Sequence, residues 1–381
     1  MAHEPRLAAL AERLRCVMAQ AGGALPFSRF MEMALYEPEL GYYEHARVGR
    51  TGDFYTSVSV GPLFGELMAL QGAIWFDQLD SIPSEDPAVL NWVEAGAHEG
   101  RFAGDFLGWL RNHRPDQYDR IRYTIIEPSR KRREWQRKRL EEFAERVEWT
   151  DALPECEGVF FGNELLDAFP IERFGWQRAS RSWFRWGVQP CDAGFEWCRM
   201  SAGNLAQTPL DGLPGELLEV LPDGYTVECS PAAEAWWAEA ASRLQRGWMV
   251  TFDYGYEDPD RFRPERERGT LRGYRDHRYV DDVLAEPGSI DLTAHVDFGR
   301  IAASGEQVGV RTECLVTQRR FLTGLMATTL KDGSGFGEWT PSRVRQFQTL
   351  THPQHLGHSF RVLVQGRDVA AFGVQSTSGE Q

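Results

Sequence analysis

Between residues 90 and 163 the chain alternates short apolar runs with helical stretches, and this limits the folds open to it more than any other feature. Residues 92–95, 123–127 and 159–163 have the length and composition of buried strands. Residues 101–111 and 129–145, which separate them, read as helices. Such alternation builds a parallel sheet covered by helices on both faces. The first strand runs into Gly96-Ala97-His98-Glu99-Gly100. Gly96 lets the chain turn sharply, and Gly100 lets the following helix pack close to the strand. A glycine turn between strand and helix is where an α/β protein holds a nucleotide-like cofactor. His98 stands at the centre of this turn, where a small residue is usual.

The flanking chain is different in kind. Residues 5–20 place Leu7, Leu10, Leu14 and Val17 at helical spacing, and 27–35 form a second helix that stops near Glu37-Pro38. A loop punctuated by Gly49, Gly52 and Gly61 follows, then a helix over 63–79 and a polar linker over 80–88. Residues 172–228 break the alternation with short aromatic segments such as Trp183-Phe184-Arg185-Trp186, read as an antiparallel insertion. A helix over 231–246 and a strand over 248–253 return to the main sheet. Residues 257–290 read as a long arginine-rich loop, followed by a helix near 293–304, strands at 307–316 and 360–365, and a polar tail. The organisation expected is a helical region over 1–88 with a glycine-rich loop, an α/β domain over 89–171 and 229–375, and an inserted β-rich subdomain over 172–228.

The 381 residues carry a net charge of −14. So acidic a chain is a poor general binder of nucleic acid or anionic membrane. No apolar run reaches the roughly 20 residues needed to cross a bilayer, so no membrane insertion is expected. Glu4 and Glu12 among the N-terminal arginines argue against a transit peptide, and the expected compartment is the cytoplasm. The six cysteines form no C-x-x-C pair, which excludes a zinc ribbon, and no metal site is expected. The oligomeric state is left open.

Three further segments carry candidate chemistry. Glu127 ends the second strand, where a carboxylate can accept bonds from both hydroxyls of a ribose; Glu127-Pro128-Ser129 also reads as a capped helix entrance. Asn163, Glu164 and Asp167 follow the third strand at its carboxyl end, the edge where open α/β sheets bind ligands. One helical turn there would set Glu164 and Asp167 on one face, where they could clamp a guanidinium; the same residues also suit a helix N-terminus. Gly52, Asp53, Phe54 and Thr56 lie in a loop that could fold over a bound cofactor. The basic run from Arg130 to Arg139 reads as a solvated helix face paired with Glu134, Glu141 and Glu142. His295 and Asp297 could supply a base, though a lone histidine is more often structural.

Together these segments resemble one family, the class I S-adenosyl-L-methionine-dependent methyltransferases of the MidA type. The resemblance rests on F-M-E-M-A-L-Y-E-P-E-L-G-Y-Y (30–43), G-D-F-Y-T-S (52–57), V-E-A-G-A-H-E-G (93–100), N-E-L-L-D-A-F-P (163–170), F-D-Y-G (252–255), G-T-L-R-G-Y-R-D-H-R (269–278), D-L-T-A-H-V-D-F (291–298) and H-P-Q-H-L-G-H-S-F-R-V-L (352–363), in that order. It implies a Rossmann-like class I methyltransferase sheet with a helical N-terminal part and an inserted antiparallel β region. It implies S-adenosyl-L-methionine held by Glu94, Gly96, His98, Gly100, Glu127 and the loop of Gly52, Asp53, Phe54 and Thr56. It implies methyl transfer to an arginine of a protein partner, with Asn163, Glu164 and Asp167 as catalytic residues, and a link to respiratory complex I assembly. Two departures stand in the cofactor region. The family turn E-x-G-P-G-x-G has Ala97 and His98 here, and Val58-Ser59-Val60-Gly61 replaces P-E-I-S. His98 motivates a second reading, a non-catalytic assembly chaperone or binding module on a methyltransferase-like fold.

Overall fold

The computed structural model describes residues 3–45, 56–81, 89–204, 210–257, 260–276, 278–331, 335–354 and 356–370. In chain order the elements are α1 (His3–Gln20), β1 (Leu25–Pro26), α2 (Phe27–Tyr36), α3 (Leu63–Asp80), β2 (Leu90–Ala95), α4 (Arg101–His113), α5 (Pro115–Tyr118), β3 (Ile121–Ile126), α6 (Arg130–Arg139), β4 (Val147–Thr150) and β5 (Cys156–Asn163). They continue with β6 (Glu172–Gln177), β7 (Ser182–Cys191), β8 (Gly194–Ser201), α7 (Gly215–Val220), β9 (Thr226–Cys229), α8 (Pro231–Arg243), β10 (Leu244–Tyr256), β11 (Arg272–Arg275), β12 (Arg278–Val280), β13 (Asp291–Thr293) and β14 (Val296–Asp297). The last are α9 (Phe298–Gln307), β15 (Arg311–Thr317), α10 (Gln318–Thr329), α11 (Pro341–Thr351), α12 (Leu356–Ser359) and β16 (Phe360–Arg367).

Two compact units form. The sheet unit holds Tyr55–Leu165, Trp236–Gly255 and Arg300–Gln381; the second holds Met1–Phe54, Leu166–Ala235 and Tyr256–Gly299. This division runs elsewhere than the sequence suggested. α3 belongs with the sheet because apolar residues lie all round it, from Leu63 and Phe64 to Trp75 and Phe76, and such a helix must be covered on every side.

The strand order in the sheet unit is β15-β16-β10-β5-β2-β3-β4. β4, β3, β2, β5 and β10 run parallel, while β16 is antiparallel to both β10 and β15. Central strands covered on both faces need continuous apolar runs, which Trp92, Val93, Tyr123, Ile125, Val159, Phe160 and Phe161 supply. Packing between elements is aromatic. Phe102 of α4 stacks on Phe161 of β5 at 4.3 Å, and Trp75 of α3 stacks on Trp248 of β10 at 5.2 Å. Each such ring fully removed from water contributes about 1.5–3 kcal/mol before entropy is counted.

The second unit contains the insertion. β1, β7, β6 and β9 form an antiparallel sheet with β8 on β7, and β12, β11 and β13 form a smaller one. α1 and α2 bury Leu10, Leu14, Phe27 and Phe30 in the core of this unit, with Phe195 and Trp197 packed against it. The arginine-rich stretch expected as a loop contains β11 and β12. It is pinned by the buried Glu228, which accepts from Arg173 Nε at 2.8 Å, from Thr270 N at 2.5 Å and from Thr270 Oγ1 at 2.7 Å. A fully bonded buried carboxylate orders chain that composition alone marks as solvated.

Candidate active site

The β2–α4 turn owes its form to three left-handed residues in five, Gly96 at φ 75°, His98 at φ 49° and Gly100 at φ 77°. Gly100 caps α4 in that conformation. Gly96 is exposed at the carboxyl end of β2, and a Cβ on it would meet Leu165 Cδ1 at 3.1 Å. Its bare backbone therefore leaves room for a ligand to approach.

The His98 ring lies among Arg132, Arg101 and Arg139. Burial first, and then these three cations, push its pKa down to about 3, so the imidazole is neutral near pH 7. Its backbone carbonyl accepts from Gln136 Nε2 at 2.9 Å. α4 and α6 thus surround the ring, and the turn keeps a left-handed conformation that a bulky residue rarely adopts. Glu94 is buried within β2, where the Tyr123 hydroxyl of β3 donates to its Oε2 at 2.7 Å. Burial raises this carboxyl to about 8, against the lowering effect of that bond.

Glu127 lies just beyond β3 and is 5% exposed. Its Oε1 accepts from Ser129 N at 3.0 Å and its Oε2 from Gln136 Nε2 at 3.1 Å. Ser129 also caps α6, accepting from Arg132 N at 3.2 Å, so this segment is the capped helix entrance that the sequence suggested. A turn with an exposed, Cβ-free residue at Gly96, beside a carboxylate at the end of the neighbouring strand, fits an adenosine-bearing cofactor.

At the carboxyl end of β5, Glu164 stands at φ 51°, a conformation a non-glycine residue holds only when its surroundings enforce it. The enforcing contacts are named bonds. Glu164 N donates to Phe252 O at 2.8 Å, and Glu164 Oε1 accepts from Ser57 N at 3.1 Å and Asn163 Nδ2 at 2.9 Å. The fully buried Asp253 braces the next residue, accepting from Leu165 N at 3.1 Å and Tyr254 N at 2.8 Å. Asn163 Oδ1 is buried and has no hydrogen-bond partner among the described residues. Asp253→Ala should therefore lower the unfolding free energy by about 2 kcal/mol, because two part-buried N–H groups lose their acceptor. Urea denaturation checks this, and an unchanged midpoint would count against the bracing role.

The expected helical turn joining Glu164 to Asp167 does not form. Left-handed Glu164 interrupts it, and only a 3-10 turn, Leu166–Ala168, follows. Asp167 belongs to the second unit and is buried there, its carbonyl accepting from Ala294 N at 2.9 Å. Near its carboxylate is Tyr43, whose hydroxyl donates to Asp291 at 2.8 Å. Thr56 closes a small turn, its Oγ1 accepting from Ser59 N at 3.1 Å. Gly52, Asp53 and Phe54 lie outside the described residues. His295 has its pKa lowered to about 4, chiefly by burial and next by Arg266, and Asp297 is paired with Arg261 at 2.7 Å. Neither has the setting of a general base near pH 7.

The basic helix α6 also differs from expectation. Arg139 pairs with Glu99 of the glycine turn at 3.2 Å, Arg137 lies over the Trp149 ring at 5.1 Å, and Glu142 is taken by Arg111 of α4 at 2.7 Å. Sequence reasoning passed over Gln136. Its signal was faint: Arg132, Gln136 and Leu140, four residues apart, are all buried and mark the inward stripe of α6.

Comparison with known proteins agrees with this geometry. The chain belongs to the family described as "Putative S-adenosyl-L-methionine-dependent methyltransferase", whose model matches residues 67–316. It is thus a methyltransferase that uses S-adenosyl-L-methionine. A Burkholderia thailandensis protein described as a "likely methyl transferase" and crystallised with S-adenosyl-homocysteine is 30% identical. It covers 99% of this chain and 96% of its own, with a TM-score of 0.84. The mitochondrial protein arginine methyltransferase NDUFAF7 of Mus musculus is 26% identical over 89% of this chain and 80% of its own length. The Drosophila melanogaster NDUFAF7 homolog is 26% identical over 79% and 70%. These relatives correct the cytoplasmic placement expected from the sequence, since they are named as mitochondrial proteins. No helix among the described residues is long and apolar enough to cross a membrane.

Proposed function

We propose that this methyltransferase transfers the methyl group to a guanidino nitrogen of an arginine in a protein partner. The observation that carries the reading is the Asn163-Glu164 corner. A strained carboxylate at the carboxyl end of β5 has one oxygen fixed by Ser57 and Asn163, and beside it stands the buried acceptor Asn163 Oδ1. A guanidinium offers five N–H donors in a planar fork, and acceptors side by side match it. The names of the NDUFAF7 relatives support the same acceptor.

S-adenosyl-L-methionine supplies an electrophilic methyl on a sulfonium. Gly96, His98, Gly100 and Thr56 would line its site. Glu127 would accept from its ribose hydroxyls, and buried Glu94 would support the strand beneath. Glu164 would orient the guanidinium so that one nitrogen faces the methyl, and its negative charge would draw positive charge away from that nitrogen. Asn163 would fix the plane of the fork.

The test is methyl incorporation from labelled cofactor into two peptides that differ only by arginine or lysine at one position, with the site located by mass spectrometry. Incorporation at arginine alone is expected; equal transfer to lysine, or none to arginine, removes the reading. The finer assignment, an arginine in a respiratory complex I subunit, predicts incorporation into complex I isolated from a strain lacking this protein. It fails if no subunit is labelled.

A further inference from the structure

Gln136 is fully buried on α6 and ties together three segments of the sheet unit. Its Nε2 donates to His98 O at 2.9 Å and to Glu127 Oε2 at 3.1 Å, while its Oε1 accepts from Trp149 Nε1 at 2.9 Å. An indole N–H can only donate, so the amide has one orientation, with oxygen toward Trp149 and nitrogen toward the two acceptors. Arg137 covers the Trp149 ring at 5.1 Å. The side chain therefore spends its donors on the glycine turn and on the strand-end carboxylate at once.

Both targets need holding. His98 at φ 49° is in a conformation that a non-glycine residue holds only when its surroundings enforce it, and its carbonyl direction depends on that conformation. Glu127 can face ribose hydroxyls only if its carboxylate plane is fixed. Ser129 N fixes one oxygen and Gln136 the other.

We propose that Gln136 is a positioning residue for cofactor binding, locking the His98 turn and the Glu127 carboxylate into one geometry before the cofactor arrives. The inference rests on the reading of Glu127 as the ribose acceptor. It assigns Gln136 no contact with the cofactor. Its effect passes through the two groups it holds, as an outer shell acts on the groups that touch a ligand.

Gln136→Glu tests it. The variant keeps the shape and an acceptor for Trp149, but turns an oxygen toward His98 O and Glu127. Two facing carboxylates cannot both stay charged without repulsion, whereas one shared proton restores a hydrogen bond. Other charged groups around the pair are Arg132, Arg133 and Arg139 of α6, with Glu99 of the turn and Arg101 of α4; the His98 imidazole beside them is neutral. Titration of the whole protein with S-adenosyl-homocysteine in a calorimeter should show affinity within about threefold of native at pH 5 and at least about tenfold weaker at pH 8. The native protein should change by less than about threefold over that range. A merely structural residue would lower the thermal midpoint without giving a pH-dependent affinity. If Gln136→Glu does not fold at pH 8, Trp149→Phe removes the donor that orients the amide, and should weaken binding about threefold or more. Native affinity in Gln136→Glu at both pH values, or in Trp149→Phe where that variant is needed, overturns the proposal. Glu127→Gln run in parallel separates the layers. Native affinity there removes the ribose reading, whereas weak binding there with an unaffected Gln136→Glu removes only the role of Gln136.

Discussion

Replacing Glu164 by Gln is expected to leave S-adenosyl-homocysteine affinity within about twofold of native and to slow methyl transfer about a hundredfold to a thousandfold. The two effects separate because of where the residue stands. Glu164 follows β5, whereas the turn after β2 and the carboxylate after β3 are built by other strands. The amide of Gln has nearly the same shape and can still accept from Ser57 N and Asn163 Nδ2, so the strained corner should persist. What it loses is the negative charge. A neutral acceptor stabilises a guanidinium less and draws less charge from the attacking nitrogen, so the loss falls on the transition state. Single-turnover transfer and calorimetry on one preparation give both numbers. Transfer at the native rate would remove Glu164 from catalysis, and lost cofactor binding would make it part of the cofactor site instead.

Glu94→Gln should stabilise the protein by an amount that grows with pH. The Glu94 carboxyl titrates near its ordinary 4.5 in the unfolded chain and near about 8 when folded, because burial outweighs the Tyr123 bond. Below pH 4.5 both states hold the proton and burial adds no penalty. Between those values the folded protein keeps a proton the unfolded chain has released, so native stability falls as pH rises and levels off above the folded value. At about 1.4 kcal/mol per pH unit, the full penalty is a few kcal/mol. Gln carries no such titration and can still accept from Tyr123. Denaturation midpoints should therefore nearly coincide at low pH and diverge by several degrees near pH 9. A constant difference across about pH 5 to 9 would show that Glu94 is charged in the fold. Cofactor affinity of the same variant decides whether Glu94 also touches the ligand.

Much of the sheet was readable because its strands are continuous apolar runs and its turns carry glycine. The parts that escaped lacked such signals. β4 is only Val147–Thr150, too short for a pattern, and takes its place by pairing with β3. α10 and α11 are largely polar, and only the caps Thr317 and Thr340, with Pro341 behind the second, marked their starts. In the site, Gly96, Gly100 and Glu127 could be found from strand ends alone. The Glu164–Asp167 pairing could not, since the bonds forcing Glu164 out of helical conformation come from residues distant in sequence, Ser57 and Phe252. The Glu94–Tyr123 bond depends on the register of β2 against β3, in which Glu94 faces Ile125 and Tyr123 lies two positions back. Gln136 gained its role only when α6 met β4. Backbone pattern is a local property, and side-chain partnership is not.

The antiparallel strand β16 has a consequence for biosynthesis. It lies inside the sheet, between β10 and β15, though it is made after both. Until residues 360–367 leave the ribosome, the buried strand β10 keeps an open edge, β15 has no strand between it and the sheet, and the Trp237 indole lacks its bond to Gln365 Oε1 at 2.7 Å. The nascent chain must therefore carry a nearly complete but gapped sheet, a state prone to pairing with another chain. A stop codon a few residues before 360 would make that gap permanent. Nonsense changes shortly before residue 360 should thus be as damaging as early ones.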